Sequence, residues 1–91
     1  MTIEKGGEER MDKITTSDLY YGAYLMSNGG RLEGTIVKGA DRRKVQFEFT
    51  GPRITKLAHE YITGEATANV RYLRSSIKHL RDIIFEKINA Y

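Results

Sequence analysis

The stretch Lys44-Val45-Gln46-Phe47-Glu48-Phe49 decides the fold class, because its polar and apolar residues alternate strictly. A period of two puts Val45, Phe47 and Phe49 on one face of a strand and Gln46 and Glu48 on the other. One face is expected to be buried and the other wet. Upstream, Arg31 to Lys38 forms a second extended run across Gly39-Ala40-Asp41-Arg42-Arg43, so the pair reads as an antiparallel hairpin. On the first strand Leu32, Gly34 and Ile36 share one face and Glu33, Thr35 and Val37 the other, which specifies the register less sharply.

Helical periods flank the hairpin. Before it, Leu19 to Asn28 reads as a helix that stops at Gly29-Gly30, where a glycine can take the left-handed conformation. Thr15 and Asp18 have capping-box spacing and Ile14 can staple onto Leu19, which together mark its start. After the hairpin, Thr50-Gly51-Pro52 opens a second helix, with Pro52 suited to the first helical position. Ile54, Leu57, Ala58, Tyr61 and Ile62 form its apolar stripe, and Gly64 ends it. Asn69 caps a third and longest helix, from Val70 to about Asn89, whose core stripe is Leu73, Ile77, Leu80, Ile84 and Ile88. A two-stranded hairpin alone is marginal, and Glu65 to Ala68 could supply a third edge strand. The reading is an α+β domain of order α-β-β-α-(β)-α, with the sheet packed against three helices.

The chain has 91 residues, 40% of them hydrophobic and 30% charged, with no cysteine. That length supports one core, placed in residues 13–91, and the composition is that of a chain that folds in water. No apolar run approaches a membrane span, and a cytoplasmic setting is expected. Absence of cysteine removes disulfides, thiolate nucleophiles and cysteine-ligated zinc. Residues 1–12 lack any apolar period and read as a flexible tail. The stretch Gly6 to Arg10 also has the character of purine-rich, ribosome-binding codons placed just before Met11, which makes Met11 the expected natural start.

Charge is unevenly placed. In residues 1–12, Lys5 and Arg10 oppose Glu4, Glu8, Glu9 and Asp12, leaving −2 there and +5 on the remainder of a chain of net charge +3. At 100° per residue, Arg71, Arg74, Lys78 and Arg81 of the last helix fall within an arc of roughly 80°, and Phe85 points into it. A second basic cluster, Lys38, Arg42, Arg43 and Lys44, lies at the hairpin turn. If the two adjoin, Arg42, Arg43, Lys44, Arg71, Arg74, Lys78 and Arg81 make a platform for the phosphates of a nucleic acid, with weak, sequence-tolerant binding. The structural alternative is a solvated face whose basic stems cover the core edge. Tyr20, Tyr21, Tyr24 and Phe85 offer a different surface, with aromatic anchors for a protein partner, either a second copy or a host protein that the chain inhibits.

Catalytic constellations are missing from the sequence. His59 and His79 lack the spacing of a zinc helix, the glycines match neither a phosphate loop nor a dinucleotide fingerprint, and the acids read as caps and solvent-face residues. No enzyme activity, metal or cofactor is expected. From Thr15 onward the chain resembles a family of short bacterial and phage domains of unknown function. The pieces are TTSDLYYGAYLMSNGG, KVQFEF, HEYITGEA and YLRSSIKHLRDIIFE, in that order, and the matching positions are Thr16, Ser17, Asp18, Leu19, Tyr20, Phe47, Phe49 and Arg81. Arg81 stands where a lysine is common, and Asn69-Val70 replaces an Asp-Pro helix start. The resemblance implies a phage or mobile-element setting and supplies no catalytic residue.

Overall fold

In the computed structural model, residues 12–40 and 44–89 are described. Their elements in chain order are β1 (Lys13–Thr16), α1 (Leu19–Ser27), β2 (Arg31–Lys38), β3 (Lys44–Thr50), α2 (Ile54–Thr63) and α3 (Val70–Asn89). The strands form an antiparallel sheet of order β1-β3-β2. The α+β class and the hairpin are therefore as expected, but the third strand comes from the other end of the chain. Glu65 to Ala68 has no regular structure, whereas Lys13–Thr16 pairs with β3 from Lys13↔Thr50 to Thr16↔Phe47. The reason lies in Ile14. Paired with Phe49, it points to the helix side and packs against the core, as Leu19 does.

A second correction follows at the start of α1. No capping box forms between Thr15 and Asp18. Asp18 is itself the N-cap, its Oδ1 accepting from the backbone N–H of Tyr20 (2.9 Å) and Tyr21 (3.1 Å), while Thr16 Oγ1 accepts from the Asp18 N–H. At the other end, Gly29 has φ 100° and the Gly30 N–H reaches back to the Leu25 carbonyl at 2.8 Å, a Schellman closure.

A bulge at Glu33 resets the face of β2. Register slips between Leu32 and Gly34, so Leu32, Thr35 and Val37 stand beside Phe49, Phe47 and Val45, while Gly34 and Ile36 stand beside Glu48 and Gln46. Leu32 and Gly34 thus lie on opposite faces, contrary to simple alternation. The slack register noted in the sequence is where the bulge occurs.

The helices cover the face bearing Val45, Phe47 and Phe49, all buried. Phe49 is fully enclosed, and a Cβ on Gly22 of α1 would stand 3.1 Å from its ring and 3.2 Å from Leu80 of α3. This close approach explains a glycine inside a helix, where it would otherwise cost about 1 kcal/mol relative to alanine. Ala23 and Ser76, both small and buried, belong to the same two helices. Helix α2 begins at Ile54, after a turn through Pro52 and Arg53, and ends at Gly64 with φ 86°. Its stripe is buried only at Ile54 and Leu57; Ile62 is 80% exposed.

Asn28, at the end of α1, donates through Nδ2 to the Thr67 carbonyl just ahead of α3 (3.0 Å), while Gly22 near the start of α1 meets Leu80. Helix α3 therefore runs antiparallel to α1 and begins near the Gly30–Gly51 end of the sheet. Its 20 residues, about 30 Å long, carry it toward the hairpin end.

Two substitutions test this packing. Gly22→Leu forces a branched side chain between Phe49 and Leu80 and should lower stability by about 1–3 kcal/mol in chemical denaturation. Asp18→Ala should lose about 1 kcal/mol and Asp18→Asn much less, since the amide oxygen still accepts from the first turn.

Candidate functional site: the basic flank of the last helix

Four of the seven predicted cations come together. Arg71, Arg74, Lys78 and Arg81 are all exposed on α3, where with Val70 and Ile77 they line one open groove. Arg71 to Arg81 spans about 15 Å along the helix axis. Among the described residues, only Lys78 of the four has an ion-pair partner, Asp82, at 3.0 Å. Phe85 is 71% exposed and lies one turn beyond Arg81, near the middle of the basic arc. Asp82 and Glu86, both exposed, occupy the adjoining flank of the same helix. Asp82 also lines the cation groove, and exposed Ser75 and His79 share the flank of Glu86, so the strip of Lys and Arg is bordered by a flank that carries neither.

The start of α3 adds to the positive field. No acidic residue stands in its first turn, and Arg71 does, although the N-terminal end of a helix favours negative charge. Asn69 caps it through Oδ1, which accepts from the Tyr72 N–H at 3.1 Å.

Lys44 does not join this strip. It precedes the buried Val45, so its side chain leaves the sheet on the face opposite the helices, and its partner Lys38 shares that face. Lys13 and Glu48, 3.8 Å apart, are on this outer face too. For Lys44 the expectation is therefore corrected: with Lys38 it lies on the sheet face turned away from the helices, apart from the α3 cations. Arg42 and Arg43 lie outside the described residues, as do residues 1–11 of the expected tail. Asp12, the last residue assigned to that tail, accepts a hydrogen bond from Thr55 Oγ1 of α2.

The aromatic group divides as well. Tyr20 is 59% exposed and Tyr21 half-buried, but Tyr24 is only 4% exposed and its hydroxyl donates to the Leu57 carbonyl at 3.0 Å. Tyr24 is thereby corrected from surface anchor to core. Tyr61, read in the sequence as a core residue of α2, completes a cluster, with ring centroids 4.5 Å from Tyr21 and 5.2 Å from Tyr24. Tyr20, Tyr24, Tyr61, Ala66, Ala68 and Leu73 line a shallow hollow of about 270 Å³. Only Tyr20 and Tyr24 could be nominated from sequence, because the other walls come from distant segments.

Burial raises the Tyr21 and Tyr24 phenols above the ordinary tyrosine range; the neighbouring Tyr61 adds to the first, and Glu60 to the second. Among the described residues, no three His, Asp or Glu side chains gather as a metal site, and no helix is long and apolar enough to cross a membrane. No protein family model, curated protein or solved structure matches the chain.

Since the folded protein holds the Tyr21 and Tyr24 protons more tightly than the unfolded chain, stability is full below about pH 10 and should fall as pH rises above it. Phenolate absorbance and circular dichroism should change together in an alkaline titration. Tyr24→Phe should destabilise by about 0.5–1.5 kcal/mol, by removing the hydroxyl's bond to the Leu57 carbonyl, which keeps its place in the α2 ladder, and should weaken the coupling to pH.

Proposed function

We propose that this chain is a non-enzymatic binding module of phage or mobile-element type that holds nucleic acid by its phosphates on the basic flank of α3. Arg71, Arg74, Lys78 and Arg81 make the contacts. One observation carries the reading: four exposed cations share one strip of a helix, bordering the stripe that is committed to the core. Like charges three and four residues apart repel, and cations near a helix start oppose the dipole, so the arrangement is unfavourable to the isolated helix. A polyanion relieves both costs. No base edge need be read, so binding is weak and tolerant of sequence.

A salt titration tests this. With labelled DNA at low ionic strength, log affinity should fall linearly with log salt, and Arg74→Gln or Arg81→Gln should each reduce the slope by about 0.7–0.9 without loss of folding. Absence of binding to any DNA or RNA at low salt would refute the proposal.

The tyrosine hollow favours a second reading, a protein partner or a second copy of the chain seated against Tyr20 and Tyr61. That reading requires association insensitive to salt. Light scattering of the free protein should then give a dimer that Tyr20→Ser dissociates.

A further inference from the structure

The basic strip contains a residue that phosphate binding does not need. Phe85 leaves 71% of its area in water, near the centre of the arc set by Arg81, Arg74, Lys78 and Arg71. An exposed ring among cations gains nothing from the core. It does present a π-face beside groups that attract phosphate.

The other flank of α3 restricts what can lie there. A helix seated in the major groove of a duplex, about 12 Å wide, meets one phosphate strand on each of its sides. Helix α3 is basic on one side only. Its other side, with exposed His79 and Glu86, holds no lysine or arginine for a second strand, and Asp82, paired with Lys78, stands at the boundary. Within a duplex, moreover, each base is covered above and below by its neighbours, so Phe85 would find no open face. A single strand meets neither obstacle: its phosphates follow the cations, and an unpaired base stacks on the ring.

We infer that the α3 strip takes an unpaired nucleic-acid strand, with its phosphates on Arg71, Arg74, Lys78 and Arg81 and one base stacked on Phe85. This inference rests on the proposed function and deepens it by naming the form of nucleic acid. The shared chemistry is a phosphodiester backbone with exposed base faces, whether the sugar is ribose or deoxyribose.

The test is fluorescence anisotropy with the full chain and three labelled probes of about a dozen nucleotides. These are a thymidine oligomer, the uridine equivalent, and a DNA duplex of mixed sequence. Both single strands should bind more than about tenfold tighter than the duplex at equal salt, and the ratio of the first two assigns the sugar. Phe85→Ala should weaken the single strands by about 5- to 100-fold and leave the salt slope and the duplex affinity unchanged, while Phe85→Trp should restore or exceed the original affinity. Glu86→Lys, which gives the other flank a cation, should narrow the gap by improving duplex binding. Equal or tighter duplex binding, or single-strand affinity indifferent to Phe85, would overturn the inference and leave the phosphate reading standing. Failure of all three probes to bind would overturn both.

Discussion

Phe49 is enclosed on every side, and the interval between its ring and the backbone of Gly22 is too small for a methyl group to enter freely. That contact ties the central strand to both α1 and α3, because Leu80 closes on the same spot. Side chains of larger volume would hold the helices further from the sheet and open voids around Phe47 and Val45. The small residues Gly22, Ala23 and Ser76 are therefore a condition of the core, and the helix-propensity penalty of Gly22 is the smaller of the two effects.

The direction of α3 follows from this seam, and its surface chemistry follows from the direction. With Leu80 fixed over Phe49 and the helix start tied near Thr67, the core stripe from Leu73 to Ile88 faces inward and the cations are left outside. Such a helix has only its outer arc to offer a partner. That arc is split between Arg71, Arg74, Lys78 and Arg81 on one side and Asp82 and Glu86 on the other, with the Lys78–Asp82 pair at the boundary. On the proposed function, this charge arrangement favours a narrow anionic ligand lying along the helix over a broad one that straddles it.

Much of the fold was legible in the sequence because it depends on local periodicity. The alternation through Phe49, the stripe of the last helix, and the glycine stops after α1 and α2 each point to one structure, and each forms. What was misread required long-range information. Four residues such as Lys13 to Thr16 are too few to show a period, and only the open edge of β3 reveals them as a strand. The bulge at Glu33 was hidden for a similar reason, since one inserted residue changes the face of a strand without changing its composition. Among the site residues, the α3 quartet was legible because a single helix sets its geometry. Membership of Lys44 in the same surface depended on packing between layers, and the burial of Tyr24 depended on the Leu57 carbonyl, 33 residues away.

On the proposed function, nucleic acid lies along the basic flank of α3. Amide chemical-shift mapping tests it most directly: the labelled chain is titrated with an unlabelled single-stranded oligonucleotide at low salt. Shifts should concentrate between Arg71 and Glu86 and be strongest toward Phe85, with Lys13, Lys38 and Lys44 on the outer sheet face unmoved. Shifts centred on that sheet face, or on the hollow between Tyr20 and Tyr61, would contradict it.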